Sequence, residues 1–386
     1  GVVIFTFLLA REVFPRAPVL ALTAAGFVAF VPQHVAMMAG VGNDSLAELL
    51  VTGGLWLVVR GTQGNWGTEG THNRVVLGLV IGAGFLTKTT IYILAPIAAI
   101  ALLWQWRRRL PAFANELPAN LKLATALPEQ GALSSGGLPL VNLSQVALWP
   151  LWRSQQGMTY LWRVARPLWR DFALVFIPAL LLGAVWWGRN ATVYGWPDFF
   201  GLQRHSAVVV GQLRTEEAIA QWGAGEYLSR FVQTTFQSFW GQFGWMGVVM
   251  DRRVYLALLG YSLALVIGAV GAVAARRRTI TVEQRDVAAL LAVTTLLAIA
   301  QYLYYNLIFV QFQGRYLYPA LAVFAIGAAV GIRQWARWGA ALIRPLPYAS
   351  RFTLYGERLL SFAPLALLAA LDVLALYRFI IPALAQ

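Results

Sequence analysis

The chain has 386 residues, of which 59% are hydrophobic and 12% charged, and a formal net charge of +14. A soluble domain carries roughly 25% charged residues, so this composition excludes a water-soluble enzyme, a disordered chain and a fibrous protein, and indicates an integral membrane protein. It contains no cysteine, which excludes disulfides, thiolate metal sites and thiol nucleophiles.

Apolar runs of about 20 residues span the hydrocarbon core as helices, because a spanning segment must satisfy its own backbone hydrogen bonds. Residues 1–10 read as the inner end of one such helix. No charged segment or small-residue cleavage site precedes them, so they do not read as a signal peptide. Further runs follow at 17–38 and 45–60. The stretch 75–106 is interrupted by Thr87, Lys88, Thr89 and Thr90 and predicts two short helices meeting at one membrane face. Later runs lie at 170–188, 253–275, 286–310, 315–333 and 357–377. The expected fold is all-α and polytopic, a single transmembrane domain over 1–386 with about ten transmembrane helices.

Lysine and arginine set the orientation. The loops 11–16, 60–74, 107–170, 276–285 and 333–358 hold 21 of the 30 basic residues. The positive-inside rule makes those loops cytoplasmic. The net charge is then topology, with a secondary attraction for anionic membrane lipids, and needs no nucleic-acid partner. The expected localisation is the cytoplasmic (inner) membrane, multi-pass, with arginine-rich loops inside. Two long connections remain. The cytoplasmic insert 107–169 has a small-residue stretch at 132–139, then Trp149, Trp152, Trp162 and Trp169 among Arg153, Arg163, Arg166 and Arg170, a broken helical pattern suited to the headgroup interface. The extracytoplasmic loop 189–252 is polar in the middle. Its aromatic second half predicts a helix along the membrane surface that roofs a cavity. No fixed-period repeat is visible, which disfavours an inverted-repeat transporter.

Polar groups at membrane depth are costly and so are candidates for function. Three lie at outer ends of spans. Asn43 and Asp44 occupy a tight turn, where a carboxylate can bind a divalent cation, orient a sugar hydroxyl or act as a base. The plain alternative is a helix N-cap. Lys88 stands alone within 75–106 and suits a lipid phosphate, or else it snorkels to the interface. Arg315 begins a span among aromatic residues and can hold phosphate through its planar fork, or serve as an interfacial anchor. Gly314 before it and Pro319 after it are expected to hold the guanidinium at a set depth. His34, near an outer helix end, could face the same cavity. Glu48 and Asp372 lie near helix ends, and no chain of carboxylates supports a proton relay.

Several segments resemble the GT-C superfamily of integral membrane glycosyltransferases, which includes the protein O-mannosyltransferases and the aminoarabinose transferase of lipid A. These are Phe30-Val31-Pro32-Gln33-His34 through Asn43-Asp44-Ser45, Gly84-Phe85-Leu86-Thr87-Lys88, and Trp186-Trp187-Gly188-Arg189-Asn190 with Tyr194-Gly195. Ser238-Phe239-Trp240-Gly241-Gln242 and Gly314-Arg315-Tyr316-Leu317-Tyr318-Pro319 are similar to elements of a poorly characterised bacterial branch. The resemblance runs from about residue 1 to 335.

The resemblance implies a sugar moved from a polyprenyl-phosphate carrier to an acceptor on the extracytoplasmic side, with inversion at the anomeric carbon. Carried over from the resemblance, Asp44 matches the family's second acidic position and is the candidate catalytic carboxylate and metal ligand, Lys88 and Arg315 match the phosphate contacts, and a divalent metal ion is often implied. His34, Asn43, Arg189 and Tyr316 are further cavity candidates. The family's first outer loop, with its catalytic acid, has no counterpart in 1–386. A second reading therefore stays open: a non-catalytic GT-C-like scaffold or accessory subunit whose 16 tryptophans pack against partner membrane subunits.

Overall fold

The structure is a computed structural model that describes residues 1–40, 42–64, 70–115, 155–209, 211–276, 280–343 and 349–385. Small residues and prolines set the first elements. Helix α1 (Val2–Val13) is followed by α2 (Pro18–Ala29) and α3 (Pro32–Ala39). Pro18 and Pro32 each sit at the start of a helix, where a missing N–H costs nothing. Pro32 also prevents α2 from running on, and the two helices are bent by 63°. The apolar run 17–38 is thus a broken pair. Next come α4 (Asn43–Thr62), α5 (Gly70–Thr87), a 3-10 turn (Thr89–Ile93) and α6 (Leu94–Asn115).

Helix α7 (Gln155–Tyr194) runs unbroken through Pro167 and Pro178. Trp162 and Trp169 lie on this continuous helix, which includes the expected span 170–188. Trp106 Nε1 donates to the Val164 carbonyl at 2.8 Å and ties the first part of α7 to α6. Trp149, Trp152, Arg153 and the 132–139 stretch lie outside the described residues.

The long loop folds into α8 (Leu202–Val208), α9 (Thr215–Trp222) and α10 (Ala224–Trp240), then a two-stranded antiparallel hairpin of Gln242–Phe243 with Val248–Val249. Helices α11 (Arg252–Arg276) and α12 (Val282–Asn306) follow. A 3-10 segment (Gly314–Ala320) leads into α13 (Leu321–Ile343), and α14 (Ala349–Ala375) continues through a π-turn (Leu376–Ile380) into α15 (Ile381–Leu384).

Among the described residues, six helical stretches are long and apolar enough to cross a membrane: 89–110, 155–194, 252–275, 282–306, 314–342 and 359–384. The bent α2–α3 pair makes seven if it counts as one span. The all-α polytopic class holds, but the count of about ten does not follow. Helix α1 has 12 residues, and α4 and α5 carry charge and glycine within their length.

Glycines bring helices together. A Cβ on Gly78 would meet Pro178 Cγ at 2.7 Å, and one on Gly82 would meet Leu182 Cβ at 2.8 Å, so α5 lies directly against α7. This small-xxx-small spacing is the usual means of close approach where helices gain little from the hydrophobic effect. Gly268 and Gly331 do the same for α11 and α13. Leu9, Leu55, Leu77, Ile81, Leu94 and Ile97 are buried between these helices. Leu256, Leu263, Val266, Val270 and Val273 of α11 face outward, as expected of a lipid-facing surface.

The two ends of the bundle differ. At one end Arg74 and Asp171 form a buried ion pair at 2.9 Å, and Arg109 approaches Asp171 at 3.5 Å. Arg108 binds Asp286 and donates to the Thr62 carbonyl at 2.7 Å. The opposite end carries α8, α9, α10 and the hairpin, together with the starts of α4 and α13.

Candidate functional site

Three segments meet at the α10 end. The first is the start of α4. Gly42 is extended and precedes the helix, so Asp44 falls in the first turn and makes no capping hydrogen bond. The helix dipole favours a carboxylate there. Asp44 instead forms an ion pair with Lys88 across the chain. Asn43 Nδ2 donates to the Thr87 carbonyl at 3.3 Å, which ties the same two segments together. Asp44 therefore pairs with Lys88 rather than capping its helix.

The second segment is the junction between α5 and the 3-10 turn. Lys88 is extended and breaks the helix. Its ammonium lies 5.3 Å from the centroid of the Tyr316 ring, within cation–π range. Gln301 Nε2 of α12 donates to the Thr89 carbonyl at 2.9 Å and braces the junction.

The third segment is Gly314–Ala320, held from above by α10. Ser238 Oγ accepts from the Gly314 amide at 2.7 Å, and its one proton has the Thr234 carbonyl at 2.6 Å and the Phe312 carbonyl at 3.2 Å within reach. Tyr318 Oη donates to the Phe239 carbonyl at 2.7 Å. Gly314 is required by proximity: a Cβ there would meet the Phe239 amide nitrogen at 2.5 Å and the Phe239 Cβ at 2.7 Å, with the Thr235 carbonyl closer still. Its φ lies outside the left-handed region, so the expected backbone freedom is not its role. The aromatic half of the loop thus forms the helix foreseen in the sequence and clamps the segment that carries Arg315.

Asp44, Lys88, Arg315 and Tyr316 line one small cavity with Glu48, Thr90 and Tyr318. Its volume is about 20 Å³, room for a single water and not for a sugar. Asp44 and Lys88 neutralise each other. Arg315 forms no ion pair with a described residue, and its Nε is buried without a hydrogen-bond partner. Its guanidinium lies 5.6 Å from the Tyr316 ring, and Gln311 donates to Tyr316 Oη at 3.0 Å. Arg315 is thus the cation of this cavity without an ion-pair partner among the described residues, while Glu48, which also lines it, lies against His34, so the guanidinium is open to an anion.

His34 is buried just behind the cavity, with Nε2 3.3 Å from Glu48 Oε1. Arg189 is elsewhere: it is exposed on α7, where it bonds Asn190 and Tyr194 and lies over the rings of Trp186 and Tyr194. Glu48 was overlooked as a site residue. The available signal was its spacing, since Asp44 and Glu48 are one helical turn apart and share a face. Among the described residues no group of three His, Asp or Glu side chains is arranged to hold a metal ion, and Asp44 is paired with Lys88.

Residues 2–128 match the family model of the dolichyl-phosphate-mannose-protein mannosyltransferases. The match includes α1 to α6 and so contributes His34, Asn43, Asp44, Glu48 and Lys88 to the site, while Arg315 and Tyr316 lie beyond it. No curated protein and no solved structure matches the chain. The match spans about a third of the chain and supports the GT-C resemblance, while the apolar helices support a multi-pass membrane protein.

Proposed function

We propose that the chain transfers a sugar from a polyprenyl-phosphate carrier to an acceptor on the extracytoplasmic side of the membrane. The observation that carries this reading is the Arg315 guanidinium, which forms no ion pair with a described residue and lines the same cavity as the Asp44–Lys88 pair. A phosphate would take the Arg315 fork through two parallel hydrogen bonds. Lys88 would add a second positive contact while it stays paired with Asp44. No step is routed through a metal ion. The sidedness follows from the basic loops at the opposite end of the bundle.

The closed cavity requires Tyr316 or the Gly314–Ala320 segment to shift before a phosphate enters. Photo-crosslinking with a diazirine-bearing undecaprenyl phosphate tests the reading on the full chain in lipid nanodiscs. Crosslinks are expected in 88–94 and 311–320. Crosslinks confined to the outward face of α11 would refute it and favour a scaffold that meets lipid only at its surface.

A further inference from the structure

Glu48 lies one turn below Asp44 on α4 and lines the cavity. Its side chain is 3% exposed, yet neither carboxylate oxygen receives a hydrogen bond from a described residue. His34 on α3, 4% exposed, approaches Oε1 at 3.3 Å without an aligned hydrogen bond. The edge of Tyr318 packs on the imidazole, with ring centroids 5.9 Å apart. A buried carboxylate left without donors is costly unless it is neutralised by a partner or a proton. The nearby imidazole of His34 is the group placed to offset that cost, and a pair that shares one proton would present no net charge while leaving Glu48 an open carboxylate oxygen.

The groups that face this pair are Asp44 on the same helix, Lys88 from the junction, and Arg315, Tyr316 and Tyr318 from the 3-10 segment. Asp44 and Lys88 cancel, and the Tyr318 hydroxyl donates to a carbonyl. Only Arg315 is left over. A phosphate dianion bound there would leave one negative charge in excess, and a second proton on the His34–Glu48 pair would cancel it.

We propose that Glu48 is the proton acceptor of the transfer, with His34 as the residue that positions it and shares the charge. This rests on the lipid-phosphate reading above. The acceptor oxygen forms its bond to the anomeric carbon as the carbon–oxygen bond to phosphate breaks. The bonding pair stays on the phosphate, which passes from a diester monoanion to a monoester dianion. The acceptor's proton goes to Glu48, so a positive charge arrives in the cavity as the negative one develops. Asp44, already engaged by Lys88, is the poorer receiver of that proton.

The product complex can be tested without knowing the sugar or the acceptor. Undecaprenyl phosphate is titrated into the full chain in nanodiscs at about pH 8, where a free phosphate monoester is already a dianion. Calorimetry in two buffers of different ionisation enthalpy gives the protons taken up on binding. Wild type is expected to take up on the order of one proton per lipid. Glu48→Gln is expected to bind within about threefold of wild type with that uptake abolished, and His34→Gln to reduce it. Equal uptake in Glu48→Gln, or binding by wild type with no uptake, overturns this inference alone. Loss of lipid binding in Glu48→Gln also overturns it, because Glu48 would then belong to the phosphate grip or the fold. Failure of wild type to bind the lipid overturns the lipid-phosphate reading and this inference with it.

Discussion

Gly314→Ala is the most direct perturbation of how the fold holds its site. The new methyl would lie 2.5 Å from the Phe239 amide nitrogen and 2.7 Å from the Phe239 Cβ, with the Thr235 carbonyl on its other side. These are mostly backbone atoms of one helix, so no rotamer change relieves the overlap. Overpacking of this kind costs about 1–3 kcal/mol. Separation of the two backbones also weakens the 2.7 Å hydrogen bond from the Gly314 amide to Ser238 Oγ, which contributes about 0.5–1.5 kcal/mol. The expected loss is about 2–4 kcal/mol, concentrated where α10 meets the 3-10 segment. Thermal unfolding of the detergent-purified protein should show a clear fall in midpoint. Gly327→Ala is the control: it adds a methyl to α13 where nothing lies within 4 Å, and it should be neutral or slightly stabilising because alanine is the better helix former. Equal midpoints for Gly314→Ala and Gly327→Ala would refute the close-approach account of Gly314.

Two predictions concern other parts of the molecule. Asp171→Asn removes the partner of Arg74, a residue whose side chain is only 8% exposed, and should destabilise by about 3–5 kcal/mol; recovery in the double variant Arg74→Met with Asp171→Leu would confirm the cause, and an unchanged unfolding midpoint in Asp171→Asn would contradict it. Asp198 accepts from the amides of Gln203 and Arg204 at 3.1 and 2.7 Å. Burial pushes its carboxyl up, but the amides from Gly201 to Arg204 outweigh that and leave it below the ordinary value of 3.8. A depressed folded value means that its contribution is present above the unfolded value and is lost as pH falls through the folded one. Amide exchange over Leu202–Val208, corrected for intrinsic rate, should therefore stay slow at neutral pH and quicken in acid, a step that Asp198→Asn should lack.

Much of the site was legible because topology alone puts Asp44, Lys88 and Arg315 at one end of the bundle. Their contacts were not. The Lys88–Asp44 pair needs α5 to break at Lys88, and that break shows in the sequence only as a polar interruption. Glu48 was harder to see, since its partner His34 reaches it only because α3 is bent away from α2 at Pro32. Arg189 sat in a motif that resembled the family, but α7 continues to Tyr194 and carries it outside the cavity. The span count of about ten is not confirmed: α1 is short, and α4 and α5 mix apolar runs with glycine and charge, so length and composition do not mark them as crossing helices.

The central claim is that Arg315 grips the phosphate of a polyprenyl carrier. The decisive measurement is the Kd of undecaprenyl phosphate for the purified wild type and for Arg315→Lys. The lysine keeps the charge but loses the planar fork. The account predicts a loss of about 1.5–3 kcal/mol, the range for charge-assisted hydrogen bonds, which is at least a tenfold rise in Kd. Equal Kd values for the two proteins would contradict it and leave Arg315 as an interfacial anchor.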